Sequence, residues 1–225
     1  MTSASERRAG LRGLYAVTPG MVDLPRLVAL VSAAIEGGAS LVQYRAKEVA
    51  PASRQRLAES LLALCRDRGV PLIVNDDLAL AAAIGADGVH LGRDDGDPRD
   101  ARARLPDAIL GVSCYADAEL AVAAAEAGAD YVGIGSVFAS PTKPGAVRAA
   151  PSLLGEARRR AGLPVAAIGG INAANAPVAV AAGADMIAVI SALFDAPDVA
   201  AAARALSLPF ATDAHAHART QPAAL

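Results

Sequence analysis

The stretch of sequence that decides the fold reads PLIVNDDLALAAAIGADGVHLGRDD and spans residues 71–95. It contains two short apolar runs, Pro71-Leu72-Ile73-Val74 and Gly88-Val89-His90-Leu91, joined by an alanine-rich, helix-like segment. This order predicts a strand–helix–strand unit. Because the two strands of such a unit are parallel, their carboxyl ends meet at the same edge of the sheet.

Acidic residues follow both of these runs. The first run ends in Asn75-Asp76-Asp77 and the second in Gly92-Arg93-Asp94-Asp95. Ligands bind at the edge formed by the carboxyl ends of parallel strands, so we expect these acids to converge at a site. Converging carboxylates repel each other unless a cation lies between them, and oxygen ligands favour Mg²⁺ or a similar hard ion. The alternative is that Asp77 and Asp94 only cap turns and helices.

The composition argues against several classes of protein. With 225 residues the chain is long enough for one large α/β domain. A net charge of −2 and the absence of Trp argue against a nucleic-acid partner. No apolar run is long enough for a signal peptide or a membrane span, so we expect no membrane association. The two cysteines, Cys65 and Cys114, cannot form a disulfide framework, which favours a reducing compartment such as the cytoplasm.

Strand-like and helix-like segments alternate along the chain. Eight apolar runs are predicted to be strands, at 14–17, 41–44, 71–74, 88–91, 109–112, 131–134, 164–168 and 186–190. A helix-like segment follows each run, the last at 197–206. Strict alternation indicates a parallel sheet covered by helices, and eight units favour a closed (β/α)8 TIM barrel over an open sheet. We place a polar N-terminal arm at 1–12, the barrel at 13–207 and a weakly ordered tail at 208–225.

A short internal repeat supports the barrel. Its four copies each precede an even-numbered strand: Gly38-Ala39-Ser40, Gly85-Ala86-Asp87, Gly128-Ala129-Asp130 and Gly183-Ala184-Asp185. The glycine ends a helix, and the two small residues turn the chain into the next strand. A repeat in every second unit suits a barrel better than a single open sheet.

Polar residues at other strand ends add cations to this edge. Gln43, Arg45 and Lys47 alternate along the second strand, which predicts that all three point to one face and Tyr44 to the other. If that face is inward, a polar residue and two cations line the barrel mouth. The alternative is a solvated, charged strand end. Ser113 directly follows the fifth strand.

Two places at this edge suit phosphate groups. The loop after the sixth strand holds Ser140, Thr142 and Lys143 between two prolines, and hydroxyls with a lysine suit phosphate oxygens. The alternative for this loop is a plain turn. The seventh and eighth strands end in Gly169-Gly170 and Ile190-Ser191, where barrels often bind phosphate through backbone N–H groups.

The combined charges predict two phosphorylated ligands, both small molecules. One phosphate would lie at the ends of the seventh and eighth strands. The other site combines Asp76 and Asp95 with Arg45, Lys47 and Lys143. A Mg²⁺ ion and three cations exceed two carboxylates by about three charges, which is near the charge of a diphosphate. Two phosphorylated ligands in one pocket indicate a transferase that joins them while diphosphate leaves. The sequence leaves a homo-oligomer open.

Five motifs together resemble the thiamine-phosphate synthase family. They are Gln43-x-Arg45-x-Lys47, Val74-Asn75-Asp76-Asp77, Gly88-Val89-His90-Leu91-Gly92, Pro141-Thr142-Lys143 and Ile168-Gly169-Gly170-Ile171-Asn172. The resemblance runs from about Leu14 to Leu206 and is specific as a set. It implies a (β/α)8 barrel that joins hydroxymethylpyrimidine diphosphate to thiazole phosphate, requires Mg²⁺, and releases thiamine monophosphate and diphosphate.

The resemblance also implies roles for single residues. Asp76 and Asp95 are the implied Mg²⁺ ligands. The implied diphosphate binders are Arg45, Lys47, Asn75 and Lys143, and Lys143, Arg45 and Lys47 are expected to be catalytic. Gln43 and Ser113 are the implied contacts to the pyrimidine substrate. The thiazole phosphate is expected at Ser140, Thr142, Gly170, Ile190 and Ser191.

The implied mechanism is dissociative. The C–O bond to diphosphate breaks first, the ring amino group stabilises the resulting pyrimidine methylene cation, and the thiazole nitrogen then attacks. Such a reaction needs alignment and stabilisation of the leaving group but no protein nucleophile. Loss of Lys143 is expected to be the most damaging, because negative charge builds up on the leaving oxygens.

Two other functions compete with this interpretation. A thiazole tautomerase is a related isomerase on the same barrel, which relies on a histidine where this chain has Tyr115 and lacks the paired acids. A phosphate-binding barrel without catalysis would lack the Mg²⁺ acids or Lys143, and this chain has all of them. The chain also departs from frequent family residues at Arg93 and Ser140, and Arg93 either contacts an anion or pairs with Asp94.

Overall fold

Eight parallel strands form a closed barrel in the computed structural model, which describes residues 3–21, 23–47, 49–139 and 147–218. The strands pair in sequence order, and β8 pairs back onto β1. Their bounds are β1 Gly13–Val17, β2 Ala39–Tyr44, β3 Leu72–Asn75, β4 Gly88–Leu91, β5 Ile109–Tyr115, β6 Tyr131–Gly135, β7 Val165–Ile168 and β8 Met186–Val189. The predicted (β/α)8 barrel is confirmed, and each predicted strand lies within three residues of its observed bounds.

Helices cover the outside of this barrel. Their bounds are α1 Ala4–Ala9, α2 Leu24–Glu36, α3 Pro51–Asp67, α4 Leu78–Ile84, α5 Pro98–Arg104, α6 Ala118–Glu126, α7 Ser152–Ala161, α8 Ala176–Ala181, α9 Ser191–Phe194 and α10 Val199–Ala218. Local capping sets several starts, because Asp23, Asp97 and Asp117 each accept a hydrogen bond from a backbone N–H of the first turn. Among the described helices, none is long and apolar enough to cross a membrane.

The last helix is longer than the sequence predicts. We expected it to end at Leu206, but α10 extends to Ala218 and includes Pro209. Tertiary contacts help to hold this segment: Phe210 is buried, and the Arg12 guanidinium lies 5.7 Å from the centre of its ring. Packing therefore overrides the helix-breaking tendency of proline here. Before α8, Asn172 forms a turn with Asn175, and the helix begins only at Ala176.

The barrel has two apolar layers. The larger one lies between the strands and the helices, where outward-facing residues such as Val42, Tyr44 and Val74 pack on Leu57 and Leu61 of α3. The smaller one fills the lower part of the barrel interior and consists mainly of inward-facing strand residues. Its buried members are Leu11, Tyr15, Leu41, Ile73, Ile109, Tyr131, Ala166 and Met186.

The internal repeat has a structural role at the amino edge of the barrel. Asp87, Asp130 and Asp185 each precede an even-numbered strand. Each accepts a hydrogen bond of 2.9–3.0 Å from a backbone N–H near the start of the preceding odd-numbered strand, that of Leu72, Leu110 or Val165. Each also pairs with an arginine of the helix that leads into that odd-numbered strand: Arg66 of α3, Arg102 of α5 and Arg158 of α7. The repeat therefore ties helix, strand and loop together three times around the barrel.

Asp130 is the most buried of these three acids. Its side chain has no exposed surface, and it accepts hydrogen bonds from Arg102, from the Leu110 N–H and from Arg7 of α1, whose Nε lies 3.0 Å away. Arg8 adds a further ion pair at 3.7 Å. Burial lowers the pKa of Arg102, and the neighbouring Asp130 carboxylate opposes that shift. The segment predicted as a polar arm thus contributes two cations to a buried acid beneath the barrel.

Substituting Asp130 tests how much this cluster stabilises the fold. Asp130→Asn removes the negative charge and leaves three guanidinium groups without their shared partner. Loss of one partner from a buried ion pair typically costs about 3–5 kcal/mol. We expect a decrease of that size in the free energy of unfolding, measured by urea denaturation. Asp67→Asn is the matched control, because the Asp67 side chain is 79% exposed and its ion pair with Arg68 should contribute under about 1 kcal/mol. Equal effects of the two substitutions would contradict this account.

Candidate active site

The acids that follow β3 and β4 meet at the carboxyl edge of the barrel. Asp76 directly follows β3 and Asp95 lies in the loop after β4, and their carboxyl groups are close enough to share a hydrogen bond. The Lys47 ammonium lies 2.9 Å from Asp76 Oδ2. Asp95 also accepts a 2.9 Å hydrogen bond from the Gly92 N–H. The structure therefore brings together two predicted metal ligands and one predicted diphosphate binder.

The backbone at Asp76 fixes the position of this acid. Its φ angle is 65°, in the left-handed region that Asp adopts more readily than most residues. Its N–H donates to the His90 carbonyl of β4 at 2.8 Å, so pairing between the two strands continues past the end of β3. A residue held in an uncommon conformation by its neighbours is typical of functional sites.

The two carboxyl groups differ in acidity. Burial alone would raise the pKa of Asp76, but the Lys47 ammonium and the hydrogen bond with Asp95 outweigh it, so this pKa lies below its ordinary value. Burial raises the pKa of Asp95, and the adjacent Asp76 raises it further. The pair therefore carries unfavourable negative charge that a proton or a cation would relieve. Two convergent carboxylates suit a Mg²⁺ ion that takes its other oxygens from water and substrate.

Asp77 has the structural role that we considered as an alternative. Its side chain accepts a hydrogen bond of 2.9 Å from the Leu80 N–H and caps the start of α4. It also lies 3.2 Å from a guanidinium nitrogen of Arg54. These contacts turn Asp77 toward the helices and away from the acid pair.

The predicted alternation of inward and outward side chains holds only within β2. Gln43 is buried in the barrel interior, and Tyr44 packs outward against α3. Arg45 and Lys47 lie beyond the last residue of β2, so alternation does not fix their direction. Lys47 reaches Asp76, whereas Arg45 is half-buried and its N–H donates to Thr18 Oγ1 at 3.0 Å. Asn75, the last residue of β3, helps to lower the pKa of the neighbouring Asp76.

A chain of hydrogen bonds crosses the barrel interior below these groups. Gln43 Nε2 donates to the Tyr15 hydroxyl at 2.7 Å, which lies 2.7 Å from the Tyr131 hydroxyl. The Tyr131 hydroxyl lies 2.9 Å from His90 Nδ1, and His90 Nε2 lies 2.8 Å from Ser113 Oγ. The chain thus joins the two residues predicted to contact the pyrimidine, Gln43 and Ser113, through three side chains of β1, β6 and β4.

At pH 7 each of the three central side chains of this hydrogen-bond chain, Tyr15, Tyr131 and His90, carries one proton that it can donate. Burial lowers the pKa of His90 to about 4, so its ring is neutral at pH 7 and carries one N–H. Burial also raises the pKa of Tyr15 and Tyr131, so both hydroxyls remain protonated. The Tyr131 ring fits because Gly111 of β5 faces it, and a Cβ at Gly111 would overlap the ring.

The predicted phosphate site at β7 and β8 is built from backbone. Gly170 has a φ angle of 64°, and a Cβ there would overlap the backbone of Ala139. Only glycine fits this combination of conformation and close approach. The Asn175 side chain donates to the Gly170 carbonyl at 2.9 Å, which fixes the turn. Ile190 and Ser191 follow the neighbouring strand, with Ser191 as the first residue of α9.

Three predicted residues lie outside the described part of the chain. They are Ser140, Thr142 and Lys143, in the loop that follows β6. Their roles stay predictions. Tyr115 and Arg93, where the chain departs from frequent family residues, contact each other: the Arg93 guanidinium lies 4.6 Å from the centre of the Tyr115 ring, and the Arg93 N–H donates to its hydroxyl at 3.1 Å.

Sequence reasoning did not assign roles to Tyr15, His90 and Tyr131. One available signal is the alternation of side chains along a strand. His90 lies between Val89 and Leu91, which both pack outward, so His90 must face the interior. Polar side chains on inward-facing positions of an apolar strand require partners there. Which partners they find depends on strand register, which the sequence does not reveal.

The fold and the residues at its carboxyl edge define a (β/α)8 barrel enzyme. Comparisons with known proteins identify the family. A family model described as thiamine monophosphate synthase matches residues 14–193. Thiamine-phosphate synthase of Thiobacillus denitrificans is 56% identical over 202 residues, which are 89% of this chain and 96% of the relative. The corresponding protein of Thioalkalivibrio sulfidiphilus is 51% identical over 212 residues, 93% of this chain and 99% of that one.

A solved structure agrees with these relatives. Thiamine phosphate pyrophosphorylase from Pyrococcus furiosus superposes with a TM-score of 0.81 at 35% identity, covering 90% of this chain and 97% of the other. The chain belongs to the thiamine-phosphate synthase family, and its class of activity is that of a transferase. The resemblance noted from the sequence motifs is confirmed.

Substituting Gly111 tests the packing beneath the site. In Gly111→Ala the added methyl group overlaps the Tyr131 ring, which must move. Overpacking of a filled interior typically costs about 1–3 kcal/mol, and we expect a decrease of that size in the free energy of unfolding measured by urea denaturation. Gly20→Ala is the matched control, since no atom of the described residues lies within 4 Å of the methyl group it would add. A Gly111→Ala protein as stable as this control would mean that the Tyr131 ring is not confined there.

Proposed function

We propose that the protein condenses 4-amino-2-methyl-5-hydroxymethylpyrimidine diphosphate with 4-methyl-5-(2-phosphoethyl)thiazole, giving thiamine monophosphate and diphosphate. The observation that carries this proposal is the meeting of Asp76, Asp95 and Lys47 at one point of the carboxyl edge. Acids and a cation in contact suit a diphosphate that arrives with a metal ion, because each charge then finds a partner. The buried free cysteines, Cys65 and Cys114, are compatible with action in the cytoplasm.

The metal ion is expected to be Mg²⁺, with Asp76 and Asp95 as its protein ligands. When bound, such an ion neutralises charge on diphosphate oxygens and so favours their departure. Lys47, Arg45, Asn75 and Lys143 are proposed to bind the remaining diphosphate oxygens. Lys47 is well placed for this role, because its side chain is 53% exposed and lies directly beside Asp76.

The proposed reaction needs no proton transfer at the reacting carbon. The C–O bond breaks, and its electron pair leaves with the diphosphate. The lone pair of the thiazole nitrogen then forms the new C–N bond, which gives the thiazolium product. The residues of this chain would act by holding both substrates in line and by stabilising the leaving oxygens. Gln43 and Ser113 would hold the pyrimidine, and Gly170 with Ile190, Ser191, Ser140 and Thr142 would hold the thiazole phosphate.

Product formation with and without metal tests the reaction and the metal ligands together. Purified protein, both substrates and Mg²⁺ should yield thiamine monophosphate, and a chelator should abolish the product. Asp76→Asn and Asp95→Asn should each raise the Mg²⁺ concentration for half-maximal rate by at least about tenfold, because each removes one charged ligand. Asp100→Asn, in the first turn of α5, is the control for a changed exposed acid.

The outcomes separate the competing functions. Absence of product with an isomerised thiazole phosphate would favour the tautomerase, and absence of product with thiazole phosphate bound unchanged would favour a binding protein. Product that forms in chelator at the full rate would contradict the metal site but leave the condensation in place.

Lys143 is proposed to stabilise the leaving diphosphate. Removing one group that stabilises developing negative charge typically lowers kcat by about 100- to 1,000-fold, and we expect this for Lys143→Ala in single-turnover measurements. Arg56→Ala, on the exposed side of α3, is the control for loss of a surface cation. Near-normal turnover of Lys143→Ala would contradict the proposed role of Lys143.

A further inference from the structure

The interior chain of hydrogen bonds ends in two side chains that face the predicted pyrimidine site, and its middle is shielded. Tyr131 has no exposed surface, Tyr15 is 1% exposed and His90 is 6% exposed. These three side chains are therefore placed to act on substrate only through Gln43 at one end and Ser113 at the other. Four separate contacts of 2.7–2.9 Å connect the two ends without a gap.

The chain has a direction, because each central group has one proton to donate. Gln43 Nε2 donates to the Tyr15 oxygen, and the direction that gives every proton of the chain an acceptor then has Tyr15 donating to Tyr131. Tyr131 then donates to His90 Nδ1, which leaves the His90 proton on Nε2. The Nε2–H donates to Ser113 Oγ, and the Ser113 proton is left to point elsewhere. In this direction Gln43 keeps a carbonyl oxygen as an acceptor, and Ser113 keeps a hydroxyl proton as a donor.

One acceptor and one donor match the edge of a 4-aminopyrimidine. That edge presents an amino N–H beside an unprotonated ring nitrogen, so it offers one donor and one acceptor. A 4-oxopyrimidine presents the reverse, a carbonyl oxygen beside a ring N–H. Binding it in the same pose with the chain unchanged would place its carbonyl oxygen against the Gln43 carbonyl oxygen and its ring N–H against the Ser113 hydroxyl proton.

We propose that Tyr131 and His90, with Tyr15, are positioning residues that fix the hydrogen-bonding direction of Gln43 and Ser113 and thereby select an aminopyrimidine over an oxopyrimidine. This inference rests on the proposed function, since it assigns the recognition of one of its substrates. None of the three residues touches the reacting atoms. Their effect is to hold one acceptor and one donor in place before the substrate arrives, which lowers the cost of ordering them on binding.

The central experiment breaks the chain in the middle and measures substrate selectivity in the complete enzyme. Tyr131→Phe keeps the ring and removes the hydroxyl, so Gln43 and Ser113 are free to reorient independently. We expect the ratio of kcat/KM for the amino substrate to that for its 4-oxo counterpart to fall by about tenfold or more. The KM for the pyrimidine diphosphate should rise about tenfold, and the KM for the thiazole phosphate should change less than about twofold.

Tyr44→Phe is the matched control. Tyr44 is also buried on a barrel strand, but it packs on the outer side, and its hydroxyl has no hydrogen-bond partner among the residues that the structure describes. Removing that hydroxyl breaks no bond, so selectivity and both KM values should stay unchanged. A Tyr131→Phe enzyme that keeps its selectivity, or loses affinity for both substrates equally, overturns the proposal.

A second measurement needs neither a variant nor turnover. The ¹⁵N chemical shifts of the histidine rings in the wild-type protein report which nitrogen carries the proton. The proposal requires the His90 proton on Nε2 at pH 7.5, and a proton on Nδ1 overturns it even if Tyr131→Phe does not fold. A wild-type protein that forms no thiamine phosphate but has the Nε2–H tautomer would instead contradict the proposed function. Calorimetric binding of the amino and oxo diphosphates to that protein would then decide selectivity directly.

Discussion

Closure of the parallel sheet, where β1 pairs with β8, is the constraint on which both the site and the interior depend. A closed parallel barrel gathers all eight carboxyl ends into one ring, so side chains distant in sequence become neighbours without any long loop. Asp76 and Asp95 meet because they follow consecutive strands. Closure also creates an interior filled by buried side chains, in which polar groups need partners. The hydrogen bonds that run from Gln43 through Tyr15, Tyr131 and His90 to Ser113 meet that requirement.

The two edges of the barrel use their acids in opposite ways. At the amino edge, Asp87, Asp130 and Asp185 are each satisfied by a backbone N–H and an arginine. At the carboxyl edge, Asp76 and Asp95 lie against each other with Lys47 beside them. The first arrangement compensates its charge and stabilises the fold, whereas the second leaves charge that a ligand can neutralise. This division agrees with the general rule that barrels bind substrates at the carboxyl edge.

The sequence predicts most of the fold and the acid pair, for a reason that lies in local patterns. Apolar runs and helix-ending glycines are short-range signals, and a strand–helix–strand unit fixes which ends meet. The predicted end of α10 was wrong, because Phe210 is held by a contact with Arg12, which lies near the other end of the sequence and leaves no local signal. The interior chain was missed, since a tyrosine on an inward-facing strand position is first of all a large apolar side chain. Only the register between β1, β6 and β4 turns Tyr15, Tyr131 and His90 into one hydrogen-bonded row.

The tyrosine pair at the centre of the barrel has a spectroscopic consequence. The chain contains four tyrosines and no tryptophan, so its near-ultraviolet absorption and emission come almost entirely from tyrosine. Tyr15 and Tyr131 lie edge to face with ring centres 5.8 Å apart, in a rigid and asymmetric setting. Their coupled transitions should dominate the near-ultraviolet circular dichroism of the native protein. The molecule therefore carries an intrinsic optical reporter beneath the proposed pyrimidine site, where no label has to be introduced.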